Sequence, residues 1–209
     1  MLEHIPAWLG QAMSGLRAGE DKLAVSQVCG DPGDTPASID LSSPAFAHES
    51  RLPPRFTLDG EGVSPPLVWS DPPVGTATMV LIVEDPDAPA PQPLVHAIVW
   101  GLDADAGRLA EGAIVADGAG GPAGRDVGRN SYLREGWLPP DPPSGHGEHR
   151  YVFQLFAVGA GAGDPGATPG RSAVIEAITG HVLAAGVLIG TYSRDQAAPV
   201  GPIGEGAVA

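Results

Sequence analysis

Residues 149–158 read HRYVFQLFAV, and their pattern gives the clearest indication of the fold. Successive side chains of a β-strand point to opposite faces, so every second residue shares a face. One face then carries His149, Tyr151, Phe153, Leu155 and Ala157, and the other carries Arg150 and Gln154. This alternation predicts a strand in an antiparallel sheet with one covered face and one wetter face.

Two further apolar stretches predict buried strands. Residues 78–83 read TMVLIV, which is apolar on both faces and rich in β-branched residues, as in a central strand. The step Asp85-Pro86 ends this strand, since proline has no N–H to donate. Residues 94–100 read LVHAIVW and form the second such stretch. The chain contains 30 glycines and 23 prolines, which we expect in the turns between the strands. The pattern predicts a mainly β fold, an antiparallel sandwich.

Helices are expected at both ends of the chain. Apolar residues at three- and four-residue steps predict one amphipathic helix over residues 2–23, which packs on its own domain or on a second copy. Residues 30–36 then form a linker. Near the other end, Thr168-Pro169 predicts a helix start, and an apolar stripe continues it through Val182 and Leu183 to about Gly186. We therefore expect a helical arm and linker over 1–37 and a β domain over 38–209.

Composition excludes several classes of function. The net charge of −14 disfavours binding to nucleic acids and to anionic membranes. A single cysteine, Cys29, excludes an internal disulfide framework and favours a reducing cytoplasm. The apolar runs are too short for a membrane span, and the first residues do not resemble a secretory signal. We expect a soluble, cytoplasmic protein.

Polar side chains are expected to meet at the ends of the predicted strands. Residues 112–148 have no clear periodicity, and a loop of this length is usually functional or disordered. It leads through Gly145, which frees the backbone to present N–H groups, into His149 and Tyr151. The neighbouring strands contribute Asp85, Asp87 and His96. This set predicts a polar pocket on an apolar scaffold, in which Asp85 orients a histidine.

Three kinds of function fit such a pocket. The first is non-enzymatic recognition of a small anionic ligand. The second is metal-assisted hydrolysis by Asp85, His96 and His149, although the histidine spacing of helical metal motifs is absent. The third is inhibition of a partner protein with the pocket unused. Serine hydrolysis is disfavoured because there is no G-x-S-x-G motif. The plain alternative for His146, between two glycines, is an exposed side chain without a role.

Short motifs in a fixed order suggest a family. SPPLVW (64–69), DPDAP (85–89), His96 and GHGEHRYVF (145–153) are followed by GHVL (180–183) and GTY (190–192). Together they resemble the phosphatidylethanolamine-binding protein family, in its bacterial Raf-kinase-inhibitor-like branch, from about residue 41 to 194.

The resemblance implies a β-sandwich with a small anion pocket at one end. The implied pocket residues are Asp85, His96, Pro142, Gly145, His149 and Tyr151. The implied ligands are phosphate and phosphoethanolamine-like headgroups, bound by a homodimer that needs no cofactor, and a kinase-inhibitor-like regulatory role is implied as well. Asp141 departs from the expected small residue, and a carboxylate facing the pocket would weaken anion binding.

Overall fold

The structure, a computed structural model, describes residues 7–29, 37–116 and 126–194. In these ranges the strands are β1 (Ala37–Ser38), β2 (Leu41–Ser42), β3 (Ser50–Arg51), β4 (Leu67–Trp69), β5 (Thr76–Asp85), β6 (Leu94–Leu102), β7 (Gly107–Leu109), β8 (Asp126–Val127), β9 (His149–Gly159) and β10 (Val182–Tyr192). The helices are α1 (Ala7–Met13), α2 (Ala24–Val28) and α3 (Arg171–Ile178), with single 3-10 turns at Glu20–Lys22 and Pro54–Phe56.

The strands form two sheets. The larger has the order β1-β10-β9-β5-β6-β8, with β3 also paired to β10, and the smaller has the order β2-β4-β7. The long strands pair in antiparallel fashion, whereas β1 and β3 run parallel to β10. The mainly β sandwich is confirmed, as are the three strands predicted from residues 78–83, 94–100 and 149–158.

The main core lies between the two sheets. In the large sheet Leu81 pairs with Leu155 on one side and Val99 on the other, and all three side chains are buried. They pack in one cluster with Leu67 and Leu109 of the small sheet. Burial of this apolar surface holds the two sheets together.

The other face of the large sheet is covered by helices, which corrects the expectation of a wetter face. Ile82 and Phe156 pack there against Val174 and Ile178 of α3 and Ala24 of α2. Gln154, expected on the wetter face, is fully buried. Its amide nitrogen donates to Glu84 of β5 and its amide oxygen accepts from the backbone N–H of Val25 in α2, so both polar atoms have partners.

The single helix predicted over residues 2–23 is wrong. Helix α1 ends at Met13, and Gly19, with φ of 103°, separates it from the turn that precedes α2. A left-handed φ is incompatible with a continuous helix, and glycine adopts it at little cost. Trp8 and Leu16 of the predicted apolar stripe are exposed. Residues 2–6 and the predicted linker 30–36 lie outside the described residues.

The predicted extent of the second helix is also wrong. Helix α3 begins at Arg171, after Gly170 rather than Thr168, and ends at Ile178. Gly180, with φ of 79°, reverses the chain, and Val182 and Leu183 belong to β10. Strand β10 pairs with β9 from Val182 to Tyr192. This long pairing outweighs the helical spacing of the apolar residues, which is a weak preference by comparison.

Candidate functional site

A small cavity lies where three strands begin or end. Strand β5 runs antiparallel to both β6 and β9, so the end of β5 meets the beginnings of the other two at one edge. The cavity has a volume of about 130 Å³. Its polar lining includes Asp85 of β5, His96 of β6, and His149 and Tyr151 of β9. The loop around Pro142 closes one side and adds Asp141.

Five of the seven residues predicted for the pocket line this cavity. They are Asp85, His96, Pro142, His149 and Tyr151. Gly145 and Asp87 are not part of the lining. Gly145 has a φ of 82° and belongs to the turn that leads to His146, so its role is to shape the loop.

Asp87 is committed to two arginines. Its buried carboxylate accepts hydrogen bonds from the backbone N–H and the guanidinium of Arg150, at 2.7–2.9 Å, and forms an ion pair with Arg17. Burial would raise the pKa of Asp87, but the hydrogen bonds from Arg150 and Arg17 outweigh it and hold that pKa below its usual range. Asp87 therefore braces the start of β9 instead of facing the cavity.

Asp85 orients His149, as the sequence predicts. Oδ2 of Asp85 accepts a hydrogen bond from Nδ1 of His149 at 2.7 Å, and Oδ1 accepts one from the backbone N–H of Asp87 at 2.8 Å. Both side chains are buried, with 4% of Asp85 and 2% of His149 exposed. Both carboxylate oxygens have partners, so the carboxylate and the ring are held in fixed positions.

His146 is buried and bonded to His149, so the plain alternative of an exposed side chain is wrong. Nδ1 of His146 lies 2.7 Å from Nε2 of His149, and Nε2 of His146 lies 3.0 Å from the carbonyl oxygen of Met13. Helix α1 can come this close because it carries Gly10, where a Cβ atom would collide with the carbonyl oxygen of Ser144. The sequence held no signal for this contact, since its partner lies in a distant segment.

These contacts determine the charge of the histidine pair. The carboxylate of Asp85 and the carbonyl of Met13 can only accept, so the ring nitrogen facing each of them carries a proton. The contact between the two rings requires a third proton. With all three hydrogen bonds formed, the pair holds three protons and one positive charge. Burial and the neighbouring His149 lower the pKa of His146.

His96 and Tyr151 each present a polar atom with no partner among the described residues. Nδ1 of His96 donates to the carbonyl oxygen of Leu138 at 2.6 Å, and Nε2 is unpaired. The Tyr151 hydroxyl is unpaired as well. Each residue is only 1% exposed, and the two rings meet edge to face at 5.0 Å. Burial lowers the pKa of His96 and raises that of Tyr151, so both are neutral.

The carboxylate at Asp141 lines the cavity, but its charge is compensated. Nη1 of Arg194 lies 2.7 Å from Oδ1 of Asp141 and donates to the carbonyl oxygen of Pro142 at 2.8 Å. The same guanidinium binds Asp59. The ion pair reduces the repulsion that Asp141 alone would exert on an anion.

The structure is a β-sandwich with a small cavity at one edge, lined by apolar side chains and a few buried polar groups. Comparison with known proteins identifies the family. Residues 42–193 match the family described as phosphatidylethanolamine-binding protein. The chain is 38% identical over 157 residues to a UPF0098 protein of Methanothermobacter thermautotrophicus, covering 75% of this chain and 99% of the other. The chain therefore belongs to the phosphatidylethanolamine-binding protein family.

Solved structures agree with this assignment. A phosphatidylethanolamine-binding protein homologue from Chlamydia trachomatis, CT736, superposes with a TM-score of 0.66 at 34% identity, covering 76% of this chain and 99% of that one. YbcL of Escherichia coli, described as a member of the mammalian family, gives a TM-score of 0.68 at 26% identity, covering 75% and 99%. The arm formed by residues 7–29 precedes the residues that match the family. The carbonyl oxygen of Met13, which contacts His146, therefore belongs to a segment outside the family match.

The side chains at the cavity give little support to the alternative of a metal-assisted hydrolase. Within the described ranges no group of three His, Cys, Asp or Glu side chains is arranged to hold a metal ion. Asp85, His96 and His149 do line one cavity, but both ring nitrogens of His149 are already hydrogen-bonded.

None of the helices in the described ranges is long and apolar enough to cross a bilayer.

Proposed function

We propose that this protein binds a small oxyanion, a phosphate or a phosphate-bearing molecule, in the cavity and serves as a binding or regulatory module. The observation that carries the proposal is the pair of unpaired polar atoms, Nε2 of His96 and the Tyr151 hydroxyl, in the lining of one cavity. More than about 90% of buried polar groups in native proteins have a partner. Two of the four such side-chain atoms in the described residues lie at this one cavity, which supports a ligand as their partner.

The size of the cavity supports a compact ligand. A volume of about 130 Å³ is a few times the ~30 Å³ that a water molecule occupies in the liquid. A tetrahedral oxyanion with a short substituent fits such a space. The surrounding prolines, including Pro139 and Pro142, restrict the backbone and keep the cavity open in the free protein.

Charge supports recognition at short range. With its three hydrogen bonds formed, the pair of His146 and His149 carries one positive charge, and Tyr151 offers a neutral hydroxyl donor. The negative charges at Asp85 and Asp141 are each paired, with His149 and Arg194 respectively. The net charge of −14 opposes long-range attraction of anions, so we expect a modest affinity that depends on contacts inside the cavity.

The test is a titration with inorganic phosphate, followed by NMR of histidine side chains and by calorimetry. Phosphate should shift the ring signals of His96 and His149 and leave those of His48, an exposed histidine elsewhere on the surface, unchanged. Tyr151→Phe should abolish the response, whereas Tyr192→Phe, at a tyrosine outside the cavity lining, should preserve it. Unchanged His96 and His149 signals at millimolar phosphate would contradict the proposal.

A further inference from the structure

We propose that the cavity selects oxyanions that bring a hydrogen-bond donor of their own, such as hydrogen phosphate or a protonated phosphomonoester, over fully ionised groups such as sulfate and phosphodiesters. This inference rests on the proposed function, because it specifies the ligand of the same site. It follows from the hydrogen-bonding pattern of His96, which fixes what the cavity can accept.

The first step is the tautomer of His96. A carbonyl oxygen only accepts, so the 2.6 Å contact with Leu138 requires the proton on Nδ1. In a neutral ring the other nitrogen, Nε2, then carries a lone pair. That nitrogen is the unpaired atom at the cavity. His96 therefore presents an acceptor to the ligand.

The second step is the charge of His96, which the surrounding groups determine. Asp85 on β5 and the hydrogen bond to Leu138 favour protonation, whereas His149 on β9 opposes it. Its aromatic neighbours are the neutral ring of Tyr151 and the indole of Trp137, at 5.0 and 6.0 Å between ring centres, and Asp141, paired with Arg194, lines the same cavity. Complete burial outweighs the attraction of Asp85 and keeps the ring neutral.

The third step is the chemistry of the ligand. Tyr151 needs an acceptor and His96 needs a donor. A phosphate group with one P–OH supplies both, because its ionised oxygens accept and its hydroxyl donates. Sulfate and a phosphodiester have the same tetrahedral shape but no hydroxyl near neutral pH. Either one would place a negatively charged oxygen against the lone pair of His96, which is repulsive and leaves a buried polar atom unpaired.

A consequence separates two sources of phosphate. A phospholipid headgroup is joined through a phosphodiester, whereas inorganic phosphate and small metabolites with a terminal phosphate retain ionisable hydroxyls. The geometry favours the second source. A monoester loses its last P–OH with a pKa of about 6, so its binding should weaken as the pH rises through that value. Inorganic phosphate keeps a P–OH throughout this range.

The experiment compares four probes by calorimetry with the full chain: inorganic phosphate, methyl phosphate, dimethyl phosphate and sulfate. Measurements at about pH 5 and about pH 8 lie on either side of the monoester pKa of about 6. Phosphate should bind at both pH values, methyl phosphate mainly at the lower one, and dimethyl phosphate and sulfate at least about tenfold more weakly. The side-chain NMR spectrum of phosphate-bound protein should show His96 without a proton on Nε2.

Two results would overturn the inference in distinguishable ways. Sulfate binding as tightly as phosphate, with His96 doubly protonated, would refute the donor requirement and leave anion binding intact. Binding of none of the probes would refute the proposed function itself. His96→Gln provides a further readout, because an amide can turn either its donor or its acceptor to the ligand. This variant, checked for folding by thermal unfolding, should bind phosphate and sulfate with similar affinities, and retained discrimination would contradict the role of His96.

Discussion

Replacing Tyr151 by phenylalanine should stabilise the free protein while destroying ligand binding. The ring is 1% exposed and its hydroxyl has no partner in the described part of the chain. An unpaired buried polar group costs about 1–3 kcal/mol. Removal of this hydroxyl should therefore raise the free energy of unfolding by about 1 kcal/mol, because the ring and its packing are retained. The same change removes the donor to the ligand, so phosphate affinity should fall at least about tenfold.

Tyr192 provides the matched control. This tyrosine is 3% exposed, but its hydroxyl donates to Oδ2 of Asp59 at 2.9 Å. A hydrogen bond to a charged group contributes about 1.5–3 kcal/mol, so Tyr192→Phe should lower the free energy of unfolding by about 2 kcal/mol. The two substitutions remove the same atom from two buried rings and should have opposite effects on stability.

The assay is urea unfolding of both variants and of the parent protein, with and without inorganic phosphate. Phosphate should raise the unfolding midpoint of the parent and of Tyr192→Phe, since a ligand that binds the native state stabilises it. The midpoint of Tyr151→Phe should not respond. If Tyr151→Phe loses as much stability as Tyr192→Phe, its hydroxyl has a structural partner and the reasoning is refuted.

Three further predictions concern the framework around the site. Glu84 is fully buried and accepts from α2 and from the guanidinium of Arg171, so Glu84→Ala should cost about 3–5 kcal/mol in denaturant unfolding, and a loss under about 1 kcal/mol would contradict this role. Burial raises the pKa of Asp87, but the hydrogen bonds from Arg150 lower it by more, so the pKa in the folded protein is below the usual value. The ionised carboxylate therefore stabilises the fold at pH values above about 4, the pKa of the unfolded chain. Asp87→Asn should therefore lose about 2 kcal/mol at neutral pH, and its deficit should shrink as the pH falls below about 4; a deficit independent of pH would argue against the ion pair. Leu133 is 77% exposed with φ of 60°, a left-handed conformation that is strained for leucine but not for glycine. Leu133→Gly should therefore raise the free energy of unfolding by about 0.5–1 kcal/mol and raise the midpoint of thermal unfolding. A lowered midpoint would refute this strain.

The strands could be predicted where one periodicity dominates. Residues 79–83 are apolar at every position, and residues 149–158 alternate, so both patterns favour strands alone. Strand β10 was hidden because Val182 and Leu183 also continue the helical spacing of Val174 and Ile178. Only the pairing with β9, a contact distant in sequence, decides between the two structures. The covered second face of β9 could not be predicted for the same reason, since α2, which covers Gln154, lies far away in the chain.

The cavity could be predicted in part. Asp85, His96 and His149 stand at strand ends, where antiparallel pairing brings them together, so the motif order was sufficient to group them. The role of His146 depends on a backbone carbonyl of Met13, which has no sequence signature. The pairing of Asp87 with Arg150 was equally hidden, because two charged residues give no indication of which of them faces a cavity.

The most direct test of the account is a crystal structure of the protein grown with inorganic phosphate. We expect a phosphate in the cavity with one oxygen within about 2.6–3.2 Å of Nε2 of His96 and another at the same distance from the Tyr151 hydroxyl. A cavity that stays empty at high phosphate concentration, or that is filled by side chains of the protein, would contradict it.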